Sequence, residues 1–358
     1  MSFMAPSEYR LTICSWNTQG NPSKDDLKKA KISEILEPKR LSKSTVGFLF
    51  IQEGGDVKEV SSLCYGTSSG ASSKVVGAKN IRCTTEILAT SYFKSFLLNG
   101  FMYADNENIS NTIISGGVAA RTNPVLTIIS TLPAYQMSVV LCNLHATSGA
   151  GGETIAKAIT ICNKIEADFV IIGGDMNTGE LAGINERLAS YKWDSFKPKV
   201  IGYDKAEHDL LLSQQSGNLL DWFCIGVNKN HAAKEGGTIQ NIRAYANEED
   251  VAQFTASFIK KRIDSIHGKI ATGKSLELNK YDRLNRYKNM LVQYKKVIGE
   301  CDHTNKVINW IDNLNANPSN PIILSKFDAL ANRNFAKVED SLSDHIPVYL
   351  TFEWAKKA

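Results

Sequence analysis

No apolar run in this 358-residue chain approaches the ~20 residues that a membrane-spanning helix needs. The first ten residues, MSFMAPSEYR, lack a basic stretch followed by an apolar core, so no secretory signal is expected. The chain therefore reads as cytoplasmic, or as exported by a signal-independent route. Cysteine is sparse and never falls in a CxxC pair. Cys14, Cys142, Cys162 and Cys224 sit inside apolar runs, which points to reduced core residues rather than a zinc site or a disulfide framework. The absence of a GxSxG elbow argues against acyl transfer, and the absence of a P-loop or GxGxxG argues against a nucleotide cofactor. No internal repeat is apparent.

What is present is the composition of a soluble globular protein, enough for one large domain or two ordinary ones. The net charge of +4 is unevenly placed. Between Asn228 and Lys337 there are 18 Lys and Arg against 11 Asp and Glu, leaving 23 against 26 elsewhere. A mildly acidic remainder carrying one basic segment suggests a polyanionic partner, although solvated helical faces also produce such counts.

Strands and helices alternate through the first 228 residues, the pattern of an α/β domain. YRLTICSWNTQG alternates and ends in a glycine-containing turn after Asn17. Helical spacing runs through Leu27, Ile32, Ile35 and Leu36 and stops at Pro38. VGFLFIQEGG reads as a buried strand ending at Glu53, CYGTSSGASSK as a loop, and GGVAART, NPVLTIIS and MSVVLCNLHATSG as further strands, the last ending at His145. GGETIAKAITICNKIEAD is an amphipathic helix. FVIIGGDMNTG is a short apolar strand whose two glycines permit close backbone approach. Asp175 and Asn177 then share a face if the chain stays extended. GNLLDWFCIG and HIPVYLTFEW are the remaining strands. From about 230 to 335 the spacing turns helical, through Val251, Phe254, Phe258 and Ile266. A second stripe follows through Leu284, Tyr287, Leu291, Tyr294 and Ile298, and a third helix is expected near Val307, Ile311 and Leu314.

Polar groups therefore stand just past the apolar runs at Asn17, Glu53, His145, Asp175 with Asn177, and Asp221, while Asp344 and His345 lead into the last strand. Open sheets bind ligands at strand termini. Glu53 and Asp344 are hard oxygen ligands for Mg2+, with Asn17 as a neutral oxygen beside them. Two histidines can exchange protons near neutral pH, and an Asp beside a His stabilises its cation. Metal, oriented water and imidazole together suit in-line attack on a phosphodiester.

The order SWNTQG, IQEGG, NLHATSGAGG, GGDMNTG, LDWFCIG, SDHIPV resembles the endonuclease/exonuclease/phosphatase superfamily, the deoxyribonuclease I-like proteins. Within it, WNTQG, QEGG and HATSGAGG are most similar to the catalytic B subunits of cytolethal distending toxins. The resemblance covers about residues 8 to 226 and 340 to 354. It implies a four-layer α/β sandwich of two packed mixed β-sheets flanked by helices, with a helical insertion before the last strand. The corresponding domain is 8–228 with 336–356, interrupted by an insertion at 229–335.

It also implies site roles. Glu53 would bind Mg2+ or Mn2+, with Asn17 and Asp344 near it. Asp175 would align or deprotonate the attacking water, and Asn177 would hold the scissile phosphate. His345, paired with Asp221, would stabilise the transition state, and His145 would act as acid or phosphate ligand. Arg121 would contact substrate phosphate. The implied activity is metal-dependent phosphodiester hydrolysis, with DNA as the expected substrate and a genotoxin-like effector as one setting. Inositol-lipid phosphatases show GDLNYR where this chain has GDMNTG. That difference favours a deoxyribonuclease I-like enzyme; a phosphoinositide or other phospholipid is the alternative substrate, and a non-catalytic binding module the alternative of another class. The helical insertion offers a surface for a protein partner or for added grip on a polyanion.

Overall fold

The computed structural model describes residues 8–36, 46–53, 71–76, 79–89, 94–98, 101–103, 110–116, 125–132, 137–180, 191–201, 207–208, 212–216, 218–229, 237–271, 281–299, scattered positions between 305 and 316, and 342–356. The chain divides into two compact units. The first comprises Met1–Pro198, Leu220–Tyr245 and Pro347–Ala358, and the second Lys199–Leu219 and Ala246–Ile346.

The first unit contains two mixed sheets. Strands β1 (Glu8–Asn17), β2 (Val46–Gln52), β3 (Ala71–Val76), β4 (Lys79–Ala89), β5 (Lys94–Leu98) and β6 (Phe101–Tyr103) belong to one of them. β7 (Ser110–Gly116), β8 (Val125–Leu132), β9 (Met137–His145), β10 (Phe169–Asp175) and β11 (Tyr191–Phe196) belong to the other. The short β12 (Lys199–Ile201) and β13 (Glu207–His208) form an antiparallel pair in the second unit. β14 (Asp221–Asn228), β15 (Gly237–Ala246) and β16 (Val348–Lys356) return to the first. Within that unit the orders are β15-β16-β1-β2-β5-β4-β3, with β6 on β4, and β11-β14-β10-β9-β8-β7.

Each sheet is built around one parallel pair, β1 with β2 and β9 with β10, flanked by antiparallel neighbours. The sheets face each other, with β1 and β2 against β9 and β10. Phe169 of β10 meets Phe352 of β16 edge-on, centroids 5.0 Å apart. Strand periodicity then sorts the side chains. Val140, Cys142 and Leu144 of β9 and Val170 and Ile172 of β10 turn outward to a core completed by Ile155, Ala158, Ile159 and Cys162 of a helix, Gly151–Cys162. This is α2, the second α-helix among the described residues. Helix α1 (Asp26–Leu36) begins where Asp25 Oδ1 accepts from the Leu27 and Lys28 amides, an N-cap arrangement. It buries Ile32 and Ile35, whereas Leu27 is exposed, off the stripe that its spacing suggested.

The pair Gly173–Gly174 answers to packing. A Cβ on Gly173 would collide with the Phe223 ring, and one on Gly174, at φ +149°, with the carbonyl oxygen of Leu144 on the neighbouring strand. The glycines thus let β10 seat against its neighbours, the close approach expected of them.

Three expectations are revised. Residues 71–74, read as the end of a loop, belong to β3. Gly237–Ala246, read as part of the insertion, is strand β15, paired along its length with β16. The sequence boundary at 229 therefore precedes a strand of the first unit, and the second unit instead gathers 199–219 with 246–346. Within that unit, helices α3 (Glu248–Ala271) and α4 (Tyr281–Ile298) pack against each other, with Val251, Phe254, Phe258, Met290 and Leu291 buried. The third expected helix has helical positions at 305–306, 308–309 and 312–313 among the described residues. No helix in the described part is long and apolar enough to cross a membrane.

Cys14, Cys142, Cys162 and Cys224 are reduced and buried. Burial pushes the Cys142 and Cys224 thiols well above the ordinary range, reinforced by the neighbouring Cys162. In native protein at pH 8, a charged thiol reagent is expected to leave all four unmodified and to label them once the chain is unfolded. Peptide mass spectrometry reads this directly; rapid native labelling would contradict the packed core.

Candidate active site

Because β1 and β2 run parallel with Asn17 opposite Gln52, their carboxyl ends lie side by side and Glu53 follows at once. The other parallel pair does the same, Asp175 standing opposite His145. β14 runs antiparallel to β10 and places Asp221 opposite Asp175. Asp221 is therefore the first residue of its strand, not a residue past its end as expected, and reversal of direction brings it to the same edge. The register of both sheets thus delivers Asn17, Glu53, His145, Asp175 and Asp221 to strand ends of one unit.

Side-chain contacts knit most of these together. Asn17 Nδ2 donates to Asp175 Oδ2 at 3.1 Å and to Glu53 Oε1 at 3.3 Å. His145 Nε2 stands 3.5 Å from each of the same two oxygens. Glu53 Oε1 and Asp175 Oδ2 therefore converge on a shared pair of nitrogen groups, with Asp175 and His145 buried and the Glu53 side chain 32% exposed. Two carboxylate oxygens converging at a solvent-accessible rim fit a hard divalent cation, which Mg2+ or Mn2+ would satisfy. Asn17 differs from the expectation. Its Oδ1 accepts from the Gln19 amide at 3.0 Å, so the side chain presents NH2, not oxygen, to the carboxylates. Its role in this arrangement is to hold the two acids.

Behind the rim, the exit loop of β1 is clamped. Lys28 Nζ donates to the carbonyls of Thr18 and Gln19, at 2.6 and 3.0 Å, and the Gly20 amide donates to Glu53 O at 3.1 Å. The turn after β10 is fixed on three sides. Met176 N–H donates to Leu220 O, Trp222 Nε1 to Thr178 O, and Asn177 Nδ2 to Ala146 O. Asn177 has φ +48° and its amide donates to Asp175 Oδ1, so the strand does not continue and the two side chains do not share an extended face. Among the described residues, the non-glycine positions with positive φ are Gln19, Glu53 and Asn177, all in these exit turns. Left-handed backbone costs an L-residue of order 1 kcal/mol or more, and its concentration here marks geometry kept for what it positions.

Sequence reasoning did not single out Gln52 and Asn143. Gln52 Nε2 donates to Asn143 Oδ1 at 2.7 Å and to Ser15 Oγ, and Asn143 Nδ2 donates to Ile51 O. This fully buried bridge ties the two sheets together one residue from Glu53 and two from His145. The signal was a polar residue at an inward position of each strand.

Asp344 and His345 belong to the second unit. There Asp344 Oδ2 accepts from Gln214 Nε2 at 3.0 Å, and His345, buried, lies with Nε2 3.8 Å from Asp344 Oδ1. Arg121 lies outside the described residues.

No family model and no curated protein matches this chain. Solved structures similar to it include a humanized TDP2 of D. rerio, at 12% identity and TM-score 0.42 over 96% of this chain and 98% of that one. The human Nocturnin catalytic domain with bound sulfate follows at 13% identity and TM-score 0.36, over 66% and 87%. The inositol polyphosphate 5-phosphatase domain of SPsynaptojanin, in complex with inositol (1,4)-bisphosphate and calcium, has 9% identity and TM-score 0.39, over 98% and 86%. By its own strand order and register, the first unit is an α/β sandwich of two mixed sheets, the architecture expected from the sequence.

Proposed function

We propose that this protein is a metal-dependent phosphoester hydrolase, and that its substrate is DNA, cleaved at internal phosphodiesters. The observation that carries the reading is the convergence of Glu53 and Asp175 carboxylate oxygens on Asn17 and His145 at the strand ends. Glu53 would hold the divalent ion, which when bound neutralises charge on the phosphate oxygens. Asp175, kept in place by Asn17, would orient a water and accept its proton. The His145 imidazole, facing both acids, would carry a proton or donate to a phosphate oxygen. Asn177, locked in a left-handed turn, would orient the phosphate. For Asp344, as a further metal ligand, and for His345 with Asp221, as transition-state stabilisers, the support is the sequence motif SDHIPV and the acid in LDWFCIG. Arg121 is assigned to substrate phosphate on the same footing.

The preference for DNA rests on the sequence resemblance and on the basic 228–337 segment. A genotoxin-like role rests on the resemblance alone. Of the basic groups in that segment, Lys288 is engaged by Asp312 at 2.7 Å.

The discriminating experiment sets nicking of supercoiled plasmid against phosphate release from a phosphoinositide, each with Mg2+ and with a chelator. Metal-dependent nicking with negligible phosphate release is expected. The reverse would assign the protein to phospholipids, and inactivity on both would leave a binding module.

A further inference from the structure

The second unit contains a chain of buried and half-buried polar contacts that leads from its helices to Asp344 and His345. It begins at Gln293, on α4, a glutamine buried on a face otherwise made of Met290, Leu291 and Val297. A buried amide needs its hydrogen bonds made, because each unmet one is costly. Gln293 makes them to two places. Its Nε2 donates to Thr255 Oγ1 of α3 at 2.9 Å, and its Oε1 accepts from the Leu212 amide at 2.6 Å. Nε2 also reaches Leu212 O at 3.5 Å. One side chain thus pins an irregular backbone segment to both helices.

That segment, Leu212–Ser216, in turn holds the residues before β16. The Ile346 amide donates to Ser213 O and the Gln215 amide to Asp344 O, each at 2.8 Å, bracketing His345. Gln214 forms a bridge with His345 and donates from Nε2 to Asp344 Oδ2, while its Oε1 accepts from the Ser216 amide at 2.7 Å. The His345 amide donates to Ser343 Oγ at 3.2 Å. Ser213, Ser343 and His345 are all buried. Two short irregular stretches, far apart in sequence, are therefore tied to each other and, through Leu212, to Gln293.

We propose that the helical pair α3–α4 is a positioning brace for the Asp344–His345 segment, acting through Gln293 and Gln214. It sets the orientation of the Asp344 carboxylate and the path of the backbone on either side of His345. The functional half of this rests on the hydrolase reading above; the structural half does not. Irregular backbone gains precision only from the contacts around it, and a misplacement of ~1 Å can cost ~10²-fold in rate. The helices thus act through Asp344 and His345, with no contact needed between them and a substrate.

The test uses the full chain and three variants. Gln293→Met keeps the volume and removes every polar contact of the Gln293 side chain. Thr255→Val removes only the contact between helices. Gln214→Met touches neither helix and releases Asp344 directly, so it keeps the test open should Gln293→Met fail to fold. Hydrogen exchange at the Gln215 and Ile346 amides and steady-state kinetics are measured on each. For Gln293→Met and Gln214→Met, exchange at these amides should quicken by about tenfold or more. At the same time kcat should fall by about tenfold or more with KM within about twofold, the signature of lost transition-state alignment. Thr255→Val should change kcat by no more than about threefold, since Leu212 stays bonded. Unchanged exchange in Gln293→Met and Gln214→Met overturns the brace, whether or not the wild type is active. Faster exchange with unchanged kcat overturns its role in positioning. Wild-type inactivity on every phosphoester sinks the hydrolase reading instead, and exchange alone then decides whether the brace exists.

Discussion

Glu53→Gly is expected to lower phosphoester hydrolysis by about two orders of magnitude or more while the melting temperature holds or rises. The two halves have separate causes. Glu53 contributes one of the two converging carboxylate oxygens, and its loss removes the group best placed to hold a divalent ion. Its backbone sits at φ +54°, a region that glycine enters without a steric penalty. Relief of that strain, of order 1 kcal/mol, offsets the lost hydrogen bond from Asn17 and the greater flexibility of the unfolded glycine chain. Removal of one of two neighbouring carboxylates relieves repulsion as well. A residue kept for stability would behave in the opposite way, so a fall of several degrees with activity retained would make Glu53 structural.

The second large effect is at Asp175. Asp175→Asn should cost about 10²- to 10⁴-fold in kcat, the range for loss of a general base. It also sets donor against donor, because Asp175 Oδ2 accepts from Asn17 Nδ2 and Oδ1 from the Asn177 amide, so the new NH2 must face one of them. A buried mismatch of that kind costs about 1–3 kcal/mol. The swap Asn17→Asp with Asp175→Asn restores a donor opposite an acceptor and keeps the charge of the cluster, but sets the new carboxylate against Glu53 Oε1, to which Asn17 now donates. Stability should therefore recover only in part in the double variant while kcat stays low. Recovery of both would show that Asp175 only orders its neighbours, and urea melts beside steady-state rates distinguish the outcomes.

Much of this was legible because strand ends announce themselves. Short apolar runs broken by an acid, an amide or a histidine gave Asn17, Glu53, His145 and Asp175, and the pairing registers of β1–β2 and β9–β10 place all four at carboxyl ends or one residue beyond. What failed was direction and conformation. An apolar run does not reveal whether its strand runs up or down, so Asp221 was read past an end that is in fact a beginning. Nor does it reveal φ, which at Asn177 turns the side chain to Ala146 O. Asn17 has the expected type but the opposite polarity, because the Gln19 amide claims its oxygen. Strand β15 was hidden by an irregularity between Ile239 and Asn241, which shifts the alternation that marks a strand. Its pairing is nonetheless firm, with Tyr245 stacked on Tyr349 at 5.4 Å. The brace through Gln293 was beyond sequence reading altogether, since a glutamine on an apolar helix face carries no address for its partner.

The most direct test of the central claim uses a substrate that favours neither DNA nor lipid. Protein stripped with a chelator is given bis(4-nitrophenyl) phosphate, and hydrolysis is followed as Mg2+ or Mn2+ is added back to wild type and to Glu53→Gly. A strand-end metal centre predicts no turnover without the ion, saturable recovery in the wild type, and at most about one hundredth of that rate in Glu53→Gly at the same ion concentration. Turnover that is indifferent to the ion, or equal in the two proteins, would contradict it.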